Sequence, residues 1–449
     1  MKRMTTMVSL TRHFALLPII AVLTACGDGG ENTSVNTTPL PNINWQLDKT
    51  ELLDINNDGL IDLVTSFTSE QNVFKLSYRA NLGNGSFDSE IIIDNNLSEQ
   101  VLFFDSADIN RDDINDIAII SSTSILVYTA SSNAIFDTKL EVSASWTLDT
   151  TFNENDESQA VLPTLENIER SRFILSDVTG DGAAELIWLV YSEPPANFGG
   201  TFYSLLYRSI NNGVGDFSSP VLLDKAARVD ATNISSRLIL LEPTDFNGDD
   251  IDEIAYRYAY FNGEISAEKD ALLWIENTTT DTNTLQLNPY PDFAGMGAQT
   301  TSLIDWNLDG FIDVISYLEP SPYSGIDESM SLAYINSGTG QFFAPENVTD
   351  LNVIPVFTTA DIDNDGTDDL IQYKQDYQAV EGEVFWQRKL GQNVEIAKKI
   401  IGYQGNILGS IDLDNDGHID FVSQYNNTLH WYQNQGDATF TEHQISIQQ

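Results

Sequence analysis

The chain has 449 residues, 67 of them acidic against 21 basic, for a formal charge of −46 at pH 7. That balance excludes nucleic acid and an anionic membrane surface as electrostatic partners, because both are polyanions that such a chain repels. One cysteine excludes a disulfide framework. At this length a single ordinary core would split into domains, unless repeated units bury their faces against one another.

In chain order, residues 1–25 come first. They carry Lys2, Arg3 and Arg12 and an apolar run over 14–23, the pattern of a secretory signal. The run is too short to span a bilayer once cleaved. The sequence Leu23-Thr24-Ala25-Cys26 resembles a bacterial lipoprotein cleavage box, which implies lipid attachment at Cys26. Residues 26–42 are polar and aperiodic, a flexible tether reaching roughly 25 Å. Loss of residues 1–25 removes three basic and no acidic groups, leaving a charge of −49. By the same resemblance, Gly27 after the cysteine points toward the outer membrane. The expected address is the cell envelope, beyond the inner membrane, with lipid as the sole membrane contact.

From residue 43 to 449 one nine-residue phrase, Asp-x-Asn/Asp-x-Asp-Gly-x-x-Asp, recurs seven times. The copies start at Asp54, Asp108, Asp177, Asp245, Asp305, Asp361 and Asp412. Such spacing is one supersecondary unit, and seven units closing on themselves predict an all-β, seven-bladed β-propeller. Each phrase reads as a calcium loop. Calcium takes six to eight oxygens; side chains at positions 1, 3, 5 and 9 supply them, with a backbone carbonyl at position 7. The residues expected to bind are Asp54, Asn56, Asp58 and Asp62 in the first copy, and Asp108, Asn110, Asp112 and Asp116 in the second. The third offers Asp177, Thr179, Asp181 and Glu185, and the fourth Asp245, Asn247, Asp249 and Glu253. The fifth has Asp305, Asn307, Asp309 and Asp313, and the sixth Asp361, Asp363, Asp365 and Asp369. The seventh has Asp412, Asp414, Asp416 and Asp420. Up to seven Ca²⁺ ions are therefore expected.

Position 6 requires a left-handed turn, the natural place for glycine. Asp113 and Asp250 stand there in the second and fourth copies, and Thr179 at position 3 of the third is a neutral hydroxyl, so these three loops rank as weaker. An EF-hand is excluded, because it needs an acid at position 12 followed by a helix. Position 12 here is Thr65, Ile119, Trp188, Tyr256, Ser316, Gln372 and Ser423. Short β-rich runs flank each loop, which predicts a hairpin. A third strand with an aromatic follows, then commonly an Asn and a Gly-rich turn, as in Asn81-Leu-Gly83-Asn-Gly85-Ser-Phe87 and Asn434-Gln-Gly436. A fourth strand completes the unit. Tyr78, Tyr128, Tyr207, Trp274, Tyr334, Trp386 and Trp431 recur once per unit, which reads as core between blades.

The pattern resembles the FG-GAP/VCBS repeat, the blade of integrin α-subunit-like propellers and of secreted bacterial proteins. Gly-Ala-Pro is missing before the loops, so the chain is more similar to the bacterial branch. The resemblance implies calcium-dependent architecture, and the expected role is a non-enzymatic binding or adhesion module. It also implies an alternative, a carbohydrate-active enzyme such as a calcium-dependent polysaccharide lyase or glycosidase. Past the signal the histidines are His418, His430 and His443, with no triad pattern and no zinc spacing, so no catalytic residue is assigned. Aromatic-rich insertions at 191–198, 256–261, 290–293 and 317–323 are expected as loops that offer a shallow site to a protein or glycan partner. Whether residues 43–49 complete the last blade is open at this stage.

Overall fold

The computed structural model describes residues 44–131, 135–142, 146–147, 160–163, 171–192, 201–229, 234–262, 271–276, 282–287, 300–318, 330–348, 357–375, 379–390 and 393–447. The signal, Cys26 and the tether lie outside these residues.

Each unit forms a four-stranded antiparallel blade. Blade 1 is β1 Trp45–Leu53, β2 Asp62–Ser69, β3 Phe74–Arg79 and β4 Ile91–Leu97. Blade 2 is β5 Phe103–Ala107, β6 Asp116–Ile120, β7 Ile125–Ala130 and β8 Phe136–Glu141. A short parallel pair, β9 Trp146–Thr147 and β10 Ala160–Val161, follows. Blade 3 is β11 Arg172–Ser176, β12 Glu185–Ser192, β13 Thr201–Ser209 and β14 Val221–Val229. Blade 4 is β15 Ile234–Leu240, β16 Ile254–Asn262, β17 Ala271–Ile275 and β18 Thr282–Gln286. Blade 5 is β19 Thr300–Ile304, β20 Asp313–Leu318, β21 Met330–Tyr334 and β22 Glu346–Val348. Blade 6 is β23 Phe357–Ala360, β24 Asp369–Gln375, β25 Glu381–Gln387 and, after the small hairpin of β26 Lys389–Leu390 and β27 Asn393–Val394, β28 Lys398–Gln404. Blade 7 is β29 Asn406–Ile411, β30 Asp420–Tyr425, β31 Thr428–Asn434 and β32 Phe440–Ser446.

Strand composition follows position in the blade. The second strands are largely buried on both faces, and the most apolar reads as a continuous run, Asp116-Ile-Ala-Ile-Ile120, every residue of which is buried. The fourth strands are the sheet edges and are polar and exposed, which blunts edge-to-edge pairing. Blades 3 and 4 differ by sharing a seam: β14 pairs with β15 through Arg228↔Ser235 and Val229↔Ile234.

The core sits between blades. Apolar clusters join blade 1 to 2 (Val64, Tyr78, Ile117, Tyr128), 2 to 3 (Ile109, Val127, Trp188, Tyr207) and 3 to 4 (Val178, Leu206, Ile254, Tyr256). Others join 4 to 5 (Phe246, Trp274, Val314, Tyr334), 5 to 6 (Trp306, Ile315, Leu370) and 6 to 7 (Ile371, Tyr403, Phe421, Tyr432). The last joins blade 7 back to blade 1 through Leu413, Val422 and Trp431 against Leu52, Leu63 and Phe67. The ring is therefore a seven-bladed β-propeller. It closes without a shared strand, because β1 is the innermost strand of its own blade and blade 7 takes all four strands from 406–446.

The recurring aromatics fall where expected. Tyr78, Tyr128, Tyr207, Trp274, Tyr334 and Trp431 are buried in these clusters, and Trp386 packs half-buried against the 6–7 cluster. The aromatic insertions need correction. Tyr191 ends up in β12, residues 256–261 run inside β16, and Tyr317 lies in β20, because alternating apolar residues extended the strands rather than leaving them. Residues 193–198, 290–293 and 319–323 lie outside the described residues.

Candidate metal centres in the blade loops

All seven phrases occupy the hairpin between the first and second strands, so they share one end of the ring. The register is constant: the residue before position 1 pairs with position 9, as in Leu53↔Asp62, Ala107↔Asp116, Ser176↔Glu185, Ile304↔Asp313, Ala360↔Asp369 and Ile411↔Asp420. In the fourth copy Thr244 bridges Glu253 in the same way.

Within each loop the carboxylates first hold backbone. The position 1 acid accepts from the N–H groups of positions 5 and 6, as Asp412 Oδ1 does from Asp416 at 3.1 Å and Oδ2 from Gly417 at 2.8 Å; in the fourth copy Asp245 accepts from positions 4 and 6 instead. The position 5 acid accepts from position 7, as Asp416 Oδ1 does from His418 at 2.9 Å. This bends the chain tightly enough that position 6 takes positive φ. Asp113 and Asp250 adopt it at 63° and 67°, so aspartate serves where glycine is usual. Position 4 is left-handed as well, at Asn57, Arg111, Gly180, Gly248, Leu308, Asn364 and Asn415. That requirement escaped the sequence reading, although Asn or Gly at five of seven copies was its visible signal.

Position 9 is fully buried in every copy: Asp62, Asp116, Glu185, Glu253, Asp313, Asp369 and Asp420 are each 0% exposed. Its oxygens join the loop to the third strand. Asp420 accepts from the N–H of Leu413 at 3.1 Å, from Asn434 at 2.7 Å and from Trp431 Nε1 at 2.8 Å. Burial, opposed by these hydrogen bonds and reinforced by the neighbouring loop acids, pushes the position 9 carboxyls up. Asp313 and Asp369 rise to about 6, Asp62, Asp116, Glu185 and Asp420 to about 7, and Glu253 to about 8.

Three loops bring carboxylate oxygens within 4.8 Å of one another: Asp245, Asp249 and Glu253; Asp361, Asp363 and Asp365; Asp412, Asp414 and Asp420. The fourth copy is thus among the loops that converge, despite Asp250 at its turn. Position 3 oxygens Asn110 Oδ1, Asp363 Oδ1 and Asp414 Oδ1 are buried and accept no hydrogen bond, as does Glu185 Oε1. A buried acceptor without a donor is costly, and an all-oxygen set of this kind suits a hard divalent cation.

The remaining loops differ in how position 3 is used. Asn56 Nδ2 donates to Asp58 at 3.0 Å and Asn307 Nδ2 to Asp309 at 2.8 Å, each amide oxygen accepting from the position 5 N–H. Asn247 Nδ2 donates to Glu253 at 2.8 Å. In the third copy Thr179 Oγ1 donates to Asp177 at 3.4 Å, and Arg111 from the second loop pairs with Asp181. In the sixth, Arg388 sits 2.8 Å from Asp363 and 2.6 Å from Asp365.

A tie between loops also went unread. Asn434 ends its third strand, Asn81, Asn211 and Asn336 follow theirs by two residues, and each donates Nδ2 to two carbonyls. One carbonyl is at position 8 of the same blade's loop, and the other at position 2 of the preceding blade's loop. For Asn434 these are Ile419 O at 3.2 Å and Ile362 O at 3.0 Å; for Asn81 they are Ile61 O at 3.1 Å and Leu413 O at 3.0 Å. In blade 6 the fully buried Lys389 replaces the amide, its Nζ 2.8 Å from Asp305 O and over the Trp306 ring. The sequence signal was the Asn before each Gly-rich turn.

Among the described residues no helix is long and apolar enough to cross a membrane. Residues 412–448, which hold the loop and the last three strands of the seventh blade, match the family model described as an FG-GAP-like repeat. The sequence matches none of the curated proteins. Among solved structures, the chain is similar to an Agrocybe aegerita lectin described with non-reducing terminal N-acetylglucosamine (14% identity, TM-score 0.43, 90% of this chain and 81% of that one). It is similar to a Bacillus licheniformis rhamnogalacturonan lyase (10%, TM-score 0.38, 90% and 72%) and to an Aleuria aurantia lectin solved with α-methyl-L-fucoside (11%, TM-score 0.30, 78% and 97%). None of these likenesses transfers a ligand or a reaction. The chain is a seven-bladed β-propeller whose final blade is a match to the FG-GAP-like repeat.

Proposed function

We propose that this propeller is a calcium-loaded, lipid-anchored module of the cell envelope that binds a protein or glycan partner without catalysing a reaction. The observation that carries the metal half is the sevenfold hairpin loop, with a buried position 3 oxygen that no protein donor reaches in the second, sixth and seventh copies. With calcium at ten times its dissociation constant, one site contributes roughly 1.4 kcal/mol. Seven such sites give on the order of 10 kcal/mol, as large as the stability of an ordinary domain. Holding the ring together is therefore sufficient work for the ions.

The non-enzymatic half rests on where the perturbed acids sit. Strongly shifted carboxyls often mark catalysis. Here seven of them are position 9 residues, each occupied in binding loop backbone. The test is metal analysis of purified protein combined with thermal melts before and after chelation. Bound calcium, and a melting temperature that drops on its removal and recovers on its return, is the expected result. A cation-free protein with an unchanged melt overturns the reading. Turnover of a polysaccharide by the purified chain would replace the binding role with the enzymatic one.

A further inference from the structure

Between the outer strands of blades 6 and 7 lies a polar cleft of about 660 Å³, away from the loops. Two of its walls are buried side chains with a polar atom to spare. His430 on β31 is 5% exposed; its Nδ1 sits 2.9 Å from Glu442 Oε1, and its other ring nitrogen has no partner among the described residues. Tyr403 on β28 is 3% exposed, and its hydroxyl makes no hydrogen bond among the described residues. The fold makes room for that ring deliberately. Gly382 is the cross-strand partner of Tyr403, and a Cβ at 382 would overlap the phenol.

Two lysines, Lys374 and Lys399, and three acids, Glu381, Glu383 and Glu442, line the cleft. Lys399 Nζ lies 2.7 Å from Glu383 Oε1, and Glu442 faces the histidine. Beside these charges, the Tyr403 hydroxyl, which can donate and accept, and one His430 ring nitrogen line the cleft. Both atoms belong to mostly buried side chains yet open onto the cleft, so a ligand that supplies hydroxyls can take the place of water on them. An anionic ligand would instead meet the field of a chain carrying −46. The volume lies in the range of small-ligand sites.

We infer that this cleft is a binding site for a neutral saccharide unit of a glycan chain. The inference deepens the binding role proposed above and rests on it. The test is a glycan array of neutral and uronate-containing oligosaccharides probed with the calcium-replete protein, followed by calorimetric titration of the best neutral hit. Variants Tyr403→Phe, His430→Ala and Gly382→Ala are compared, with thermal melts to confirm folding. Tyr403→Phe keeps the ring and removes only the hydroxyl, so it should fold and weaken binding about fivefold. His430→Ala should weaken it tenfold or more, and Gly382→Ala should act by displacing Tyr403 into the cleft. Unchanged affinity in folded Tyr403→Phe and His430→Ala overturns the site while leaving the binding role intact. Binding confined to uronate glycans overturns the neutral class. A protein that retains no glycan yet captures a defined envelope protein removes this inference alone. One that captures neither removes the binding role with it.

Discussion

Asn81 tests ring closure directly, because no peptide bond crosses the seam between blades 7 and 1. Its side chain is 3% exposed and makes three hydrogen bonds: to Ile61 O at 3.1 Å, to Leu413 O at 3.0 Å, and from Gly83 N at 2.9 Å. Truncation in Asn81→Ala removes about 1 kcal/mol net per bond and strands two carbonyls and an amide, for a total of about 3–5 kcal/mol. Asn336 makes the same set at a seam that the chain does cross, to Phe246 O at 2.8 Å, Ile312 O at 3.1 Å and from Gly338 N at 3.0 Å. The two alanine variants should therefore lose similar stability in urea unfolding. Hydrogen exchange should accelerate around Leu413 only in Asn81→Ala. If Asn81→Ala costs under about 1 kcal/mol while Asn336→Ala costs its full amount, blades 7 and 1 are not docked and the closed ring is refuted. If both are nearly silent, the asparagines are not ties at all.

Arg388→Gln should tighten metal binding at the sixth loop a few-fold, because it removes a guanidinium that pairs with both Asp363 and Asp365. Terbium luminescence reports this through Trp386, whose Nε1 is 2.8 Å from Asp369 Oδ2; unchanged or weaker binding contradicts the pairing. Asp105, which accepts from Leu175 N at 2.9 Å and Ser106 N at 2.8 Å, is pushed up to about 7 by burial and then by the charges of Glu242 and Glu51. Between its ordinary unfolded value of about 4 and pH 7 the folded state holds the proton and the unfolded state does not, so stability falls as pH rises through that window. Asp105→Asn should lessen that slope by at most about 1.4 kcal/mol per pH unit, and parallel urea midpoints across pH 4.5–7.5 for the two proteins would sink the assignment.

The architecture could be read from the chain because each blade repeats the same punctuation, an acidic turn followed by an aromatic strand and a Gly-rich bend. Residues such as Trp274 and Trp431 could be assigned to the core from recurrence alone. What escaped depends on contacts between units. Asn434 was noticed as a recurrent residue, but its bond to Ile362 O spans 72 positions, and no local pattern encodes it. Arg388 lies 23 residues from Asp365, and its approach follows from β24 and β25 running side by side. The strands at 191 and 256–261 were misjudged as loops because aromatic density resembles an insertion when the outer limit of a strand is unknown. His430 was set aside as a lone histidine, since its partner Glu442 sits across the β31–β32 hairpin and only register joins them.

Strand direction has a consequence for how the ring is displayed. β1 runs toward the acidic hairpins and β32 runs away from them, so Trp45 and Ser446 both lie at the far rim. A leash fastened at either terminus therefore holds the disc from behind. Such a leash would leave the side that carries the acidic hairpins facing the surrounding medium.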